Sequence, residues 1–175
     1  MTIKKSLFIA AFMLLATTMA NAAKKTIYKP WSNGKLKVSA NQRYLIHENG
    51  TPFFWLGNTA WLLPERLNRD EAEYFLAKER ELGYNVEQIQ VLNAIPTFNV
   101  YGQQANNKEF DFSKVSKPGV YGYWEHLDYI IDRAADNGIY IAMDCIRGCM
   151  IGQVDVKRAA AYGKVLGERY KDKPN

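Results

Sequence analysis

Residues 51–63 restrict the folds open to this chain more than any other stretch. Residues 53–56 form a short, wholly apolar run that stops at Gly57; the polar pair Asn58 and Thr59 follows, and Trp61, Leu62 and Leu63 add an aromatic and aliphatic patch ahead of a helix. A strand apolar on both faces suits a parallel sheet covered by helices, where polar side chains return only once the strand has left the sheet. Residues 53–56 are therefore expected to be a buried strand, and the residues after Gly57 an active-site loop. In such sheets the ligand crevice lies at the carboxyl ends of the strands.

The rest of the chain repeats this unit. Asn68 can cap a helix and Glu71 can return the bond, with Asp70 and Glu71 in the first turn where the helix dipole favours acids. Ala72, Phe75, Leu76 and Leu82 fall on one face, and Gly83 stands where a left-handed cap belongs, which predicts a helix over 68–82. Residues 85–93 are β-rich and predict a second strand. The connection 94–122 carries Pro96, Phe98, Tyr101, Phe110, Phe112 and Tyr121; connections this long are usually functional. Trp124, Leu127, Ile131 and Ala134 mark a second helix ended by Asn137 and Gly138, residues 139–143 a third strand, and 144–154 a loop. Asp155 can cap a third helix whose face reads Val156, Ala159, Ala160, Gly163, Leu166 and Tyr170. Upstream, residues 43–47 predict a strand that turns at Asn49 and Gly50, a strong hairpin signal, back onto the 53–56 run.

A hairpin followed by alternating strands and helices is an α/β pattern with a parallel sheet. No glycine-rich phosphate fingerprint follows the first parallel strand, which disfavours a dinucleotide fold and leaves the barrel. The expected architecture is the N-terminal part of a (β/α)8 TIM barrel, with three βα units behind an N-terminal β-hairpin. A complete barrel takes about 250 residues, so a fragment or truncated reading frame is expected.

Residues 1–22 read as a cleaved secretory signal peptide: Lys4 and Lys5, an apolar run over 7–15 too short to span a membrane, and the small-residue site Ala20, Asn21, Ala22. Residues 23–35 look like an extended lead-in, and 36–175 like the truncated barrel domain. The expected location is periplasmic or secreted, without a stable membrane span. Removing Lys4 and Lys5 lowers the formal net charge from +5 to +3, too mild a surplus for a nucleic-acid partner.

Residues 44–61, 67–72, Trp124-Glu-His-Leu-Asp-Tyr-Ile-Ile131 and 161–175 resemble, in order and at familiar spacing, the apiosidase-like glycoside hydrolases, glycoside hydrolase family 140 and its relatives. These are exported bacterial (β/α)8 barrels that degrade pectin. The resemblance implies a general acid/base aspartate in a Gly-Gly-Asp segment after the fourth strand and a nucleophilic glutamate on a later strand, both beyond Asn175. No catalytic residue is therefore expected in this chain, which should be inactive alone. It departs from the family pattern at Asn58, where an aspartate is usual, and at residues 144–148, where the family tends to a Pro-Thr-Trp-Gly-like run.

Five residues are candidates for contact with an oligosaccharide or polysaccharide substrate. Asn58 either bonds sugar hydroxyls or turns the chain on its own backbone. Trp61 is either a stacking platform or a core aromatic. Asn93 ends the second strand as a polar contact or a turn residue. Tyr101 is the first choice among the loop aromatics for lining the cleft, although most of those aromatics should pack on each other. Asp144, at the end of the third strand, is either a substrate contact or the partner of Arg147. The facing of Glu87 is not decidable from its pattern. Cys145 and Cys149 are close enough in sequence for a small disulfide, whereas His47 and His126 lie too far apart for a zinc pattern; neither metal nor cofactor is expected.

Two function classes follow. One is the N-terminal part of an exported, apiosidase-like glycoside hydrolase cleaving terminal or side-chain sugars of plant polysaccharide. The other is a non-catalytic carbohydrate-binding protein or degenerate barrel.

Overall fold

The computed structural model describes residues 26–107, 109–112 and 119–175. The predicted signal peptide lies outside them. The described residues form two sheets, each of three strands. The first is antiparallel: β1 (Leu36–Val38), β2 (Leu45–His47) and β3 (Pro52–Phe53), with Leu36 opposite His47 and Leu45 opposite Phe53. The second is parallel, in the order β4 (Gly57–Thr59), β5 (Val86–Gln90) and β6 (Tyr140–Asp144).

Among the described residues four α-helices accompany the parallel sheet: α1 (Leu63–Arg66), α2 (Arg69–Leu82), α3 (Tyr123–Asp136) and α4 (Val156–Tyr170). The strand and helix alternation and the parallel ladder are those of the first part of a (β/α)8 barrel, as the sequence predicts.

Helix α2 forms as its caps require. Asn68 Oδ1 accepts the Glu71 N–H at 3.0 Å, Glu71 Oε2 accepts the Asn68 N–H at 2.9 Å, and Gly83 closes the helix at φ 93°. In α3 the first turn is held by Glu125, whose Oε2 accepts the Gly122 N–H at 3.1 Å, and in α4 Asp155 Oδ1 accepts the Arg158 N–H at 2.8 Å.

Two expectations about the strand and helix units fail. Residues 53–56 are not one buried strand: Phe53 is buried in the antiparallel sheet, but Phe54 is 77% exposed and Trp55 and Leu56 are exposed too. The parallel strand is the short Gly57–Thr59, an edge strand whose ladder bonds, not its apolar content, hold it to β5. The predicted face of α4 is also rotated. Val156 is 87% exposed and Ala159 and Ala160 are exposed, while Tyr162 and Leu166 are the buried residues. Tyr162 wins because its ring stacks on Phe112, centroids 4.9 Å apart and 6° from parallel, burying far more area than the small residues beside it. The lead-in is also not wholly extended, since Pro30–Asn33 make a 3-10 turn.

Register partners in a sheet share a face, and this sorts the strands. Ile89 is fully buried in the main core with Leu127, Ile130 and Ile131 of α3, and Ile141 and Met143 pack against that core. Glu87, Ile89, Ile141 and Met143 thus face the helices. Val86, Gln88, Gln90, Tyr140, Ala142 and Asp144 share the other, inner face. At the amino ends of the strands Tyr140 meets Phe53 and Trp31 edge-on, at 5.3 Å and 5.5 Å between ring centroids, so the antiparallel hairpin covers the base of the parallel sheet.

Candidate functional site

The carboxyl ends of β4, β5 and β6 bring together a compact polar group. Gln90 donates its side-chain N–H to Asp144 Oδ2 at 3.0 Å and its backbone N–H to the Trp61 carbonyl at 2.9 Å. Asp144 in turn accepts the Val91 N–H on its own carbonyl at 2.9 Å. The loop after β6 is stitched back by the Arg147 N–H to the Leu92 carbonyl at 2.9 Å, and Arg147 Nη1 reaches Asn93 Oδ1 at 3.4 Å. Glu65 of α1 completes the group. Burial pushes its carboxyl above the usual range, against the opposing effect of bonds from Asn93 and the charges of Arg66 and Arg147.

The structure divides the predicted site residues among three places. Asn93 and Asp144 belong to this group. Arg147 forms no ion pair with Asp144 among the described residues; Asp144 is occupied by Gln90 instead. Trp61, 48% exposed, joins through its backbone and borders an open apolar hollow with Ala60, Leu67 and Phe75. Asn58 borders the same hollow but pairs in register with Glu87, on the helix side of the sheet, and donates its amide to Glu79 Oε2 at 3.0 Å. Its side chain is thus on the face opposite Asp144.

Tyr101 lies in a third place, over the start of α2. Its hydroxyl accepts the Arg69 N–H at 3.0 Å, and its ring meets Tyr121 and His126 edge-on at 5.5 Å and 5.2 Å. His126 is fully buried: Nε2 donates to the Leu67 carbonyl at 2.9 Å, which leaves Nδ1 to accept the Tyr121 hydroxyl at 2.9 Å. Burial holds its pKa below the ordinary value, in keeping with a neutral ring. Phe110 and Phe112 pack on Tyr162, the mutual packing expected for most aromatics of the long connection.

Cys145 and Cys149 are both free thiols, and burial raises the pKa of Cys145. Among the described residues no three His, Cys, Asp or Glu side chains come together as a metal site, and no helix is long and apolar enough to cross a membrane.

The family model for the apiosidase-like catalytic domain matches residues 39–175. The chain belongs to the apiosidase-like glycoside hydrolases. Two solved structures are similar to it. One, described as a glycoside hydrolase, is 59% identical with a TM-score of 0.82; the match covers 85% of this chain and 34% of that one. The other, a glycoside hydrolase family 5 protein from Bacteroides vulgatus ATCC 8482, is 56% identical with a TM-score of 0.82, over 85% of this chain and 33% of that one. The apiosidase-like chain thus spans about a third of the length of each. No curated protein matches it.

Two members of the polar group escape sequence reasoning. Gln90 is 2% exposed, with its Oε1 buried and unpartnered, but a glutamine at the end of a strand that also carries Glu87 and Gln88 has no facing signal of its own. Glu65 sits one residue after Pro64, in the short helix α1; the proline at the start of that turn was the available signal.

Proposed function

We propose that this apiosidase-like chain supplies the first strands of an exported glycoside hydrolase barrel that cleaves terminal or side-chain sugars of plant polysaccharide, pectin in the first instance. The observation that carries the reading is the Gln90–Asp144 pair, 3.0 Å apart at the carboxyl ends of parallel strands in a chain of this family. That end of a barrel is where sugar chemistry is done. In this reading Asn93, Asp144 and Trp61 contact the saccharide and Gln90 holds Asp144 in place. Asn58 acts indirectly, by positioning Glu79, and Tyr101 by pinning the long connection to α2. The signal-like residues 1–22 support export.

Glycoside hydrolysis needs two carboxyl groups across the scissile bond. The family resemblance assigns both to segments beyond those in this chain, so the chain by itself binds without cleaving. The test is release of apiose or another terminal sugar from pectin oligosaccharides, run beside a binding measurement. Binding without release is the expected result for this chain, and release once the remaining barrel segments are supplied completes the enzyme reading. Binding with no release even then favours the second reading, a carbohydrate-binding protein.

A further inference from the structure

We propose that the amino-end floor of the parallel sheet carries a second ligand site, built for a small aromatic carboxylate and separate from the polar group around Asp144. A cavity of about 490 Å³ lies there, between the hairpin and lead-in on one side and the corners after α2 and α3 on the other. That volume falls within the range of small-molecule sites, about 300–1,000 Å³. The walls are preformed. Asn85, just before β5, donates its amide to the Phe54 carbonyl at 2.7 Å and accepts the Leu56 N–H at 2.9 Å, which ties the end of the hairpin to the corner after α2. Gly138, just before β6, lies so close to the lead-in that a Cβ there would come within 2.3 Å of the Tyr28 carbonyl.

The lining sets the chemistry of the ligand. Phe53, Phe54, Leu56 and Tyr84 border the cavity, and Phe54 and Leu56 are exposed, so an apolar body seated there removes their area from water. The rings favour edge-on contact with another ring. No acid belongs to the lining, and Arg80 is its fixed charge. His47 is already engaged, with Nδ1 at 3.1 Å from the Gly34 carbonyl. Among the described residues no hydrogen bond or ion pair holds the Arg80 side chain, and its Nε is buried without a partner. The acids on either side of it in sequence are held elsewhere. Glu79 accepts the Asn58 amide on the sheet side, and the exposed Glu81 pairs with Lys78 at 2.7 Å, which lowers its pKa more than the charge of Arg80 does. One planar guanidinium beside an apolar wall matches one carboxylate on an aromatic body.

Calorimetry of the full chain with 3-phenylpropanoate and 3-phenylpropanamide separates charge from shape, since the two probes share a body and only the first is an anion. The acid is expected to bind about tenfold tighter than the amide, the scale of one hydrogen-bonded charge pair. Arg80→Gln should remove that preference by weakening the acid about tenfold and leaving the amide unchanged, and Arg80→Lys should keep part of it, because a point charge replaces the fork. Phe54→Ser, at an exposed position that the fold does not need, should weaken both probes alike. Lys157→Gln, exposed on α4, should change neither. Equal binding of acid and amide, an undiminished acid preference in Arg80→Gln, unchanged affinities in Phe54→Ser, an equal loss in Lys157→Gln, or no binding of either probe each overturns the floor site. None of these results bears on sugar binding at the opposite end of the strands, which is read with pectin oligosaccharides.

Discussion

Glu87 of β5 is buried beside Glu79 of α2, and Asn58 of β4 donates its amide to Glu79 Oε2 across 3.0 Å. Two carboxyls thus share a site between sheet and helix, and neither oxygen of Glu87 has a hydrogen-bond partner of ordinary geometry. Burial, and then the charge of Glu79, pushes Glu87 up to about 8. A carboxyl whose folded pKa is raised keeps its proton when folded after the unfolded chain has released it. Its contribution therefore weakens folding progressively as pH rises from the ordinary carboxylate range to about 8. Glu87→Gln should raise the melting temperature at pH 8 by several degrees and change it little at pH 4. Equal melting temperatures for the two proteins at pH 8 contradict the raised pKa of Glu87.

His126 pulls the other way. Burial lowers its pKa in the folded chain, so its contribution is complete above the unfolded value of 6.5 and is lost as pH falls below it. Through mildly acid pH the two groups oppose each other, and the parent chain should show a shallow profile. In Glu87→Gln the acid-side loss should stand out, with stability rising as pH increases from about 5 to 7. A flat profile in that variant excludes a neutral, buried His126.

The cap of α2 offers a local test. Asn68 satisfies the Glu71 N–H, and losing such a side chain costs about 0.5–2 kcal/mol. Denaturant unfolding of Asn68→Ala should show that loss, while Asn68→Asp, which keeps an acceptor at the positive end of the helix dipole, should lie close to the parent.

Ile89 and Gln88 are neighbours with opposite fates. Ile89 is fully buried in the helix-side core, whereas Gln88 is exposed on the inner face. Ile89→Ala should cost about 2–5 kcal/mol. Gln88→Ala should stay within about 0.5 kcal/mol of the parent. Comparable losses at the two positions mean that the strand faces are assigned the wrong way round.

The edge of β4 is bordered by exposed Phe54, Trp55 and Leu56. An unpaired parallel edge beside apolar side chains invites pairing with another chain. Sedimentation should show association that rises with concentration, and Trp55→Ser combined with Leu56→Lys should shift the protein toward monomer. Association unaffected by that pair of changes removes this edge as its cause.

How much could be read in advance depended on how far each residue's fate is set locally. Helix α2 is legible because Asn68, Glu71 and Gly83 act within a single turn. β4 is not, because its ladder to β5 depends on residues far along the chain, and the apolar run 53–56 carries a stronger local signal than Gly57, Asn58 and Thr59. In the site, Asp144 was recognisable as a carboxylate at a strand end. Its partner Gln90 was not, since only the β5–β6 register puts the two side chains on one face. The bond of Asn58 to Glu79 was illegible for the same reason: its position directly after an apolar run says nothing of Glu79, which reaches it from the following helix.

Trp31, Phe53 and Tyr140 meet edge-on at the amino ends of the strands. The molecule therefore has a stoppered floor. The three rings cap this part of the sheet at the end opposite the polar group around Asp144. Widening the pocket by loop changes at that rim leaves the stopper untouched, so the floor can stay constant while the choice of ligand drifts.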